Sequence, residues 1–149
     1  MKIAVINGPN LNLLGLREPH LYGHQTYDGL CQLLQEEAKK KGLDLEIYQS
    51  NHEGALVDYI QGLYQKADGI IINPAAYTHT SIAILDALKA INLPVVEVHL
   101  TDISKREDYR KRSYVSEVAF KTITGKGSQG YLLALEDLIR EIKGYETDL

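Results

Sequence analysis

Short apolar runs alternate along the chain with longer segments in which apolar residues recur at helical spacing. Five runs are typical of strands, the last being the weakest: KIAVIN (2–7), LDLEIY (43–48), GIIINP (69–74), PVVEVHL (94–100) and AFKTIT (119–124). Four groups of apolar residues between and after them predict helices: Leu30, Leu33, Leu34 and Ala38; Leu56, Tyr59, Ile60, Leu63 and Tyr64; Ile84, Leu88 and Ile91; Leu135, Leu138, Ile139 and Ile142. Thr26 is the expected cap of the first helix, and Gly42 its expected end.

This alternation predicts one α/β domain over residues 1–149, with a parallel sheet and helices on both faces. Ligands of such folds bind beyond the carboxyl ends of the strands. Functional side chains are therefore expected in the segments that follow the strands: 8–25, 50–53, 74–80, 100–113 and 125–130.

Composition excludes several classes of protein. The net charge of −4 argues against a general affinity for nucleic acid. The single cysteine, Cys31, leaves no internal disulfide framework and no cysteine-based zinc site. The N-terminal apolar run is too short for a signal sequence, and no run has transmembrane length. We therefore expect a reducing, cytoplasmic setting.

The connection after the first strand is long for a compact α/β domain. Its first part, NGPNLNLLG (7–15), offers the amides of Asn7, Asn10 and Asn12, and its second, REPHLYGH (17–24), has neither a helical nor a strand period. The alternative to a binding role is a turn-rich loop in which asparagine only tolerates a left-handed backbone. The order of glycines is not GxGxxG, so a dinucleotide site is poorly supported.

The segment after the third strand, NPAAYTHTS (73–81), combines polar side chains with a predicted helix start. Asn73 ends the strand, and His79 stands where the helix is expected to begin, with Thr78 or Thr80 as its cap. Free N–H groups there would suit an anion or hydroxyl groups. Plain capping beside a surface histidine is the alternative.

Asp86 interrupts the otherwise apolar segment IAILDALKAI (82–91). It lies seven positions after His79, so the two are expected to share a helix face. A carboxylate at this position faces either solvent or a partner.

The fourth strand carries the sharpest local signal, VEVHLTD (96–102). Glu97 and His99 are two residues apart, so both point to one face of the sheet, and Val96 and Val98 point to the other. A carboxylate beside an imidazole fixes its tautomer and favours its charged form, which suits a general acid. The alternative is an ion pair on the surface at the strand end.

Two further segments allow two interpretations each. SKREDYRKR (104–112) has five basic and two acidic residues; it is either a solvated turn or a segment that turns Arg106 or Arg110 inward toward an oxygen-rich substrate. GKGSQG (125–130) lacks the order of a P-loop, so tight turning and close packing are favoured over phosphate binding.

Four blocks, in order and spanning nearly the whole chain, resemble the type II 3-dehydroquinate dehydratases: NGPNLNLLGLREPHLYG (7–23), NPAAYTHTSIA (73–83), EVHLTDISKRE (97–107) and GKGSQGYLLAL (125–135). The resemblance implies a flavodoxin-like three-layer sandwich with a five-stranded parallel sheet. It also implies the removal of water from 3-dehydroquinate to give 3-dehydroshikimate, without a cofactor, a metal or a lysine Schiff base.

The resemblance implies five catalytic positions. Tyr22 matches the base, acting as tyrosinate on the C2 proton, and Arg17 matches the arginine beside it in a lid at about residues 16–25. His99 matches the general acid that protonates the departing C1 hydroxyl, and Glu97 matches the residue that orients it. Asn10 matches the residue that holds a water against the enolate oxygen.

It also implies the binding positions. Asn73, Leu100 and Thr101 match the groups that bind the substrate carboxylate, the last two partly through backbone N–H. His79 and Arg110 match contacts to the ring hydroxyls.

The resemblance further implies a homododecamer, built as four trimers, in which Asp86 reaches the neighbouring subunit's site. Leu85 departs from the family, which commonly has arginine there, and the sequence Arg-Lys-Arg at 110–112 replaces a stretch that often holds histidines.

Three other classes compete with this interpretation. A flavin or nucleotide protein of the same fold would need a phosphate-binding turn after the first strand, and a receiver-type signalling domain would need an acidic cluster there; this chain has Asn, Gly and Pro instead. An imine-forming dehydratase would be sensitive to borohydride in the presence of substrate.

Overall fold

The computed structural model describes residues 1–16 and 25–147, with side chains up to residue 144. Five strands form one parallel sheet in the order β2-β1-β3-β4-β5, as in flavodoxin-like folds. The strands are β1 Lys2–Asn7, β2 Asp44–Gln49, β3 Gly69–Asn73, β4 Val95–His99 and β5 Lys121–Thr124. All five predicted strands are confirmed, including the weakest, β5.

Four α-helices cover the two faces of the sheet, so the predicted layers are confirmed. They are α1 Tyr27–Lys40, α2 Glu53–Gly62, α3 Ile82–Ile91 and α4 Gln129–Thr147. Helices α1 and α4 bury their apolar sides against one face of the sheet, which includes Val96 and Val98. Helices α2 and α3 pack on the other face. Within the described residues, no helix combines the length and apolar character that a membrane span requires.

The predicted ends of α1 are confirmed. Thr26 Oγ1 accepts a hydrogen bond from the Gly29 N–H at 3.1 Å, which satisfies one of the free donors of the first turn. Gly42, just past the last turn, has φ 68°, a left-handed backbone that favours glycine.

The predicted start of α3 is wrong. Neither Thr78 nor Thr80 caps the helix: Ser81 does, its Oγ accepting from the Ile84 N–H at 3.0 Å. His79 ends a separate 3-10 turn, Ala75–His79. The prediction that Asp86 shares a helix face with His79 is therefore wrong as well, because the two residues belong to different elements.

Candidate active site

A cavity of about 230 Å³ lies beyond the carboxyl ends of β1, β3 and β4, at the edge where the fold class is expected to bind ligands. Its wall combines amide, imidazole and guanidinium groups with apolar side chains. The residues that line it are Pro9, Asn10, Leu11, Leu14, Asn73, Ala75, Ala76, His79, His99, Leu100, Thr101, Ile103, Arg106 and Arg110.

The Glu97–His99 pair of β4 lies at the base of this cavity. Both side chains point to the same face of the sheet, as the two-residue spacing predicts, and His99 Nε2 bonds to Glu97 Oε2. Glu97 is 0% exposed and His99 5%, so the alternative of a surface ion pair is wrong. With Nε2 engaged by the carboxylate, Nδ1 is the ring nitrogen left for proton transfer with a molecule in the cavity.

The surroundings of Glu97 favour its ionised form despite its burial. Burial alone raises the pKa of its carboxyl, but the hydrogen bond and charge of His99, with hydrogen bonds from Ser113 and Ser116, outweigh it and hold the pKa below its ordinary value. A buried carboxylate of this kind fixes the orientation of the neighbouring imidazole through its bond to Nε2.

His79 presents an acceptor to the cavity. Its Nδ1 lies 2.7 Å from the Arg112 carbonyl oxygen, which can only accept, so Nδ1 carries the proton and Nε2 is free to accept. Burial, with the nearby positive charges of His99 and Arg110, lowers the pKa of His79. A neutral imidazole of this tautomer can accept a hydrogen bond from a hydroxyl group.

Arg106 and Arg110 both line the cavity, so the predicted inward position is confirmed for these two cations, and their binding of a substrate stays a prediction. Arg110 Nε lies 3.0 Å from Glu107 Oε2, an ion pair without hydrogen-bond alignment, and Arg106 Nε lies 3.7 Å from the same oxygen. Arg106 Nη1 also donates to Thr101 Oγ1 at 3.4 Å. Glu107 thus pairs with two guanidinium groups that belong to the cavity wall.

Asn10 fits both interpretations of its loop, the left-handed turn and the binding role. Its φ of 70° is the left-handed backbone that asparagine tolerates, and its side chain lines the cavity. Its N–H donates to Asn51 Oδ1 at 3.0 Å, and Gln49 Nε2 donates to the same oxygen at 3.1 Å. The loop after β2 therefore fixes the backbone of the loop after β1.

Gly8 has to be glycine because the chain after β1 passes directly over the chain after β3. A Cβ at Gly8 would lie 2.2 Å from the Pro74 carbonyl oxygen, and the Gly8 N–H donates to the Asn73 carbonyl at 2.8 Å. This close approach brings the two loops to the same side of the cavity.

Asn73 is held from behind the cavity by the buried hydroxyl of Tyr131. Tyr131 donates to Asn7 Oδ1 at 2.7 Å and accepts from Asn73 Nδ2 at 3.0 Å. Asn73 Oδ1 accepts the N–H of Ala75, whose φ of 53° is unusual for alanine, at 3.1 Å. Asn73 therefore supports the strained turn that forms one wall of the cavity, in addition to lining it.

Seven of the eleven site residues predicted from the sequence line the cavity: Asn10, Asn73, His79, His99, Leu100, Thr101 and Arg110. Glu97 lies directly beneath it. Asp86 does not reach the cavity of its own chain and is exposed on α3. Tyr22 and Arg17, together with most of the predicted lid, lie outside the described residues.

The glycine-rich segment after β5 turns tightly against the end of β4 and does not line the cavity. Gly125 and Gly127 have φ values of 73° and 56°, and their N–H groups donate to the carbonyls of His99 and Leu100 at 3.3 and 3.1 Å. The favoured interpretation, tight turning and close packing, is confirmed. The loop fixes the end of β4 by binding its last carbonyl groups.

Sequence reasoning missed the residues that support the site from outside the cavity. Ser113 and Ser116 bond to Glu97, Gln49 and Asn51 fix Asn10, and Tyr131 fixes Asn73. Serines in an irregular segment carry no periodic signal, and Tyr131 is indistinguishable from any other apolar position of α4. Only the three-dimensional arrangement identifies them.

An imidazole–carboxylate pair that opens onto a cavity at this edge of the sheet is an arrangement for proton transfer, and it marks the chain as an α/β enzyme of flavodoxin-like fold. The chain belongs to the class II dehydroquinase family, whose model matches residues 1–139. The family and the fold that the sequence blocks indicated are therefore confirmed.

Individual relatives agree over nearly the full length. The 3-dehydroquinate dehydratase of Clostridium acetobutylicum is 49% identical over 138 residues, which are 93% of this chain and 96% of the relative. That of Aliarcobacter butzleri is 52% identical over 146 residues, 96% of this chain and 89% of the relative. The type II dehydroquinase structure from Butyrivibrio crossotus superposes with a TM-score of 0.91 at 47% identity, covering 93% of this chain and 97% of that one.

Proposed function

We propose that this enzyme removes water from 3-dehydroquinate to give 3-dehydroshikimate, by anti elimination through an enolate. The observation that carries the proposal is the buried Glu97–His99 pair at the base of a cavity lined by arginine and amide groups. The relatives at 49% and 52% identity that are named 3-dehydroquinate dehydratase support the choice of substrate. In the net reaction the C2–H and C1–O bonds break, a C1–C2 double bond forms and one water leaves.

His99 is the proposed general acid. Its protonated ring gives a proton to the C1 hydroxyl as the C1–O bond breaks, and the leaving group departs as water. Glu97 accepts from Nε2, so the ring is oriented with Nδ1 available and its positive charge is balanced within the buried site. After each turnover His99 regains a proton and Tyr22 loses one, so the enzyme returns to its starting state with one water as the only by-product.

Tyr22 is the proposed base, taking the C2 proton as tyrosinate. An ordinary tyrosine has a pKa of about 10, so ionisation near neutral pH needs a neighbouring positive charge. Arg17 is five residues from Tyr22, and one folded loop can bring the two together. We propose that the segment at about 16–25 acts as a lid whose closure excludes water and strengthens this pairing. The role of both residues rests on the family resemblance.

The remaining groups bind the substrate and its enolate. Asn10, with a water, is proposed to donate to the enolate oxygen, where negative charge develops. Asn73 and the backbone N–H groups of Leu100 and Thr101 are proposed to bind the carboxylate. The position of these three on the cavity wall supports this assignment.

The ring hydroxyls are assigned to His79 and Arg110. The free Nε2 of His79 accepts a hydrogen bond, whereas the guanidinium of Arg110 only donates, so the two can bind hydroxyl groups in complementary ways. The two arginines, 106 and 110, also make this part of the cavity positive, which favours an anionic substrate in a protein of net charge −4.

The proposed chemistry uses acid and base groups and no cofactor. An imine mechanism would need a lysine at the reacting carbonyl. No lysine lines the cavity in the described part of the chain, and the segment 17–24 contains none by sequence. Both points favour elimination through an enolate over the imine-forming alternative.

We further propose that the chain assembles as a homododecamer of four trimers, in the cytoplasm. In this assembly Asp86, exposed on α3, would reach the site of a neighbouring subunit. Support for the assembly comes from the family resemblance.

The direct test is to add 3-dehydroquinate to the purified protein and follow the ultraviolet absorbance of the conjugated enone product. We expect absorbance to rise with enzyme concentration, and we expect the activity to survive borohydride added together with substrate. No rise under conditions where the protein is folded would refute the proposed function. Inactivation by borohydride only in the presence of substrate would establish the imine route instead.

A further inference from the structure

The fully buried carboxylate of Glu97 is surrounded by hydroxyl groups from three separate parts of the chain, which we call the hydroxyl cage. Ser116 Oγ donates to Oε1 at 2.6 Å and Ser113 Oγ donates to Oε2 at 2.7 Å. Thr122 of β5 donates to Oε1 at 3.3 Å, and Thr78 lies 3.4 Å from Oε2. Together with His99, the cage offers donors to both oxygens.

The direction of each bond can be worked out, because a hydroxyl carries one proton. Thr78 Oγ1 and Ser113 Oγ are 2.7 Å apart, and either could donate. Since Ser113 gives its proton to Glu97, the 2.7 Å bond between the two hydroxyls uses the proton of Thr78, which is shared with Glu97 Oε2 at 3.4 Å. The result is a chain of bonds that all point toward the carboxylate. A protonated carboxyl would bring a further proton into a set of donors, so the cage fits the anion.

We propose that Ser113 and Ser116 are positioning residues for His99: their hydroxyls keep Glu97 ionised, and Glu97 in turn holds the protonated imidazole at the cavity. This inference rests on the proposed function, in which His99 is the general acid. Neither serine is among the residues that line the cavity, and both bond to Glu97, so the proposed effect on the reaction passes through Glu97.

In the described part of the chain, no charged group near the cage other than His99 bonds to Glu97. The shortest hydroxyl bonds to its carboxylate come from the two serines, at 2.6 and 2.7 Å. His99 approaches from β4 and His79 from the 3-10 turn before α3, the latter with a lowered pKa that disfavours its charge. Glu117 is exposed and pairs with Lys89 at 4.0 Å. On β5, Lys121 pairs with Asp137 at 2.7 Å. His99 is therefore the one cation bonded to Glu97 among the described residues, and hydroxyl groups supply the other donors.

The first experiment is the steady-state kinetics of Ser113→Ala and Ser116→Ala. We expect each to lower kcat about tenfold, the size expected for losing a hydrogen bond to a charged group, and to change KM less than about twofold. Ser116→Thr, which keeps the hydroxyl, should retain most of kcat. Ser104→Ala is the matched control, because Ser104 Oγ donates at 2.6 Å to the exposed carboxylate of Asp102 and makes no contact with Glu97.

A double-mutant cycle then tests whether the serines act through Glu97. In a Glu97→Gln background there is no carboxylate to keep ionised, so adding Ser116→Ala should leave kcat unchanged. An equal loss of kcat in both backgrounds, or equal losses in kcat and in affinity, would overturn the proposal. In the Glu97 background, the loss of kcat on the acid side should begin at higher pH in Ser116→Ala.

Stability measured against pH provides a readout that does not need turnover. Because the pKa of Glu97 is lowered in the folded state, its contribution to stability is present above the unfolded value of about 4.3 and is lost as pH falls through the folded value. Ser116→Ala raises the folded value, so its urea midpoint should fall more at about pH 7 than at a pH below the folded value, where the carboxyl is protonated in both proteins. An equal fall of the urea midpoint at both pH values would mean that Ser116 contributes to packing and does not affect the ionisation of Glu97. An inactive wild type that still shows the pH-dependent difference would refute the proposed function and leave the cage standing.

Discussion

At the scale of single residues, the two tyrosines that bond to Asn7, Tyr27 and Tyr131, are unsuited to act as a base. Burial raises the pKa of Tyr27 to about 12 and raises that of Tyr131 further, so both hydroxyls remain protonated at neutral pH. Tyr131 uses its proton to bridge Asn7 and Asn73. A tyrosine that ionises needs a cation beside it, and Tyr22, with Arg17 in the same loop, remains the predicted base.

Tyr22→Phe should lower kcat by at least about a hundredfold, because general-base catalysis contributes that much or more. KM should change little, since the hydroxyl is needed for proton transfer more than for binding. Tyr64→Phe is the matched control, being an exposed tyrosine that does not line the cavity. Near wild-type kcat in folded Tyr22→Phe protein would remove Tyr22 as the base.

The Glu97–His99 pair was easier to predict than the residues that support it. Glu97 and His99 follow from a two-residue period on a strand, which dictates that they share a face. Ser113 and Ser116 lie 16 and 19 positions away from Glu97 in irregular chain, and no local rule connects them to it. Long-range hydrogen bonds between side chains leave no pattern in a single sequence.

At the scale of elements, two short 3-10 turns after β4 turn the arginines inward. They span Ile103–Lys105 and Asp108–Arg110, with Glu107 between them. A run of charges without period allows a solvated turn or a segment with inward arginines. Arg106 and Arg110 line the cavity, whereas Lys111 is exposed, and substrate binding by the two arginines stays a prediction. The turn geometry, which the sequence pattern does not specify, decides which cations point inward.

Glu107→Gln should raise KM for 3-dehydroquinate about two- to fivefold with a smaller effect on kcat. Its carboxylate holds Arg106 and Arg110 by partly exposed ion pairs, which contribute modestly and are screened by salt, so the difference should shrink at high ionic strength. Asp108→Asn is the control, because Asp108 pairs at 3.0 Å with Lys111, outside the cavity. An equal rise of KM in the control, or none in Glu107→Gln, would contradict this role.

The start of α3 was predicted wrongly because three neighbouring residues could each cap the helix. Threonine and serine at 78, 80 and 81 are all acceptable caps, so local preference could not choose among them. Thr78 is excluded because its hydroxyl belongs to the cage around Glu97. The Thr78 hydroxyl bonds within the cage and Ser81 caps the helix, so His79 lies on a separate turn.

At the scale of the whole molecule, the apolar periods were sufficient to predict the layers, because a strand buried on both faces and a helix buried on one leave different patterns. The strand order is a property of the topology and followed only from the family resemblance. The apolar periods also say nothing about how subunits assemble. Asp86 offers a test of assembly, because its side chain is exposed on α3, away from the cavity of its own chain.

If Asp86 serves a neighbouring site, Asp86→Ala and Tyr22→Phe should each be nearly inactive alone and regain activity when mixed subunits assemble. A site with its own Tyr22 and a neighbour's Asp86 forms in about a quarter of random 1:1 contacts in a cyclic trimer, so activity should approach about a quarter of wild type. Lys89→Ala, at another exposed charged position of α3, is the control for sedimentation and kcat. Absence of recovery in mixed assemblies, or full activity of Asp86→Ala alone, would contradict the cross-subunit role.

The bridge made by Tyr131 has a consequence for synthesis of the chain. Its hydroxyl bonds to Asn7 of β1 and to Asn73 of β3. A residue of α4 therefore completes the support of a cavity wall, and one of its two partners, Asn7, lies 124 positions earlier in the chain. As the ribosome releases the chain, β1, β2 and β3 can pair before α4 exists, but Asn7 and Asn73 then lack their shared partner. The nascent chain therefore cannot complete this wall of the cavity until α4, one of the last elements, has emerged.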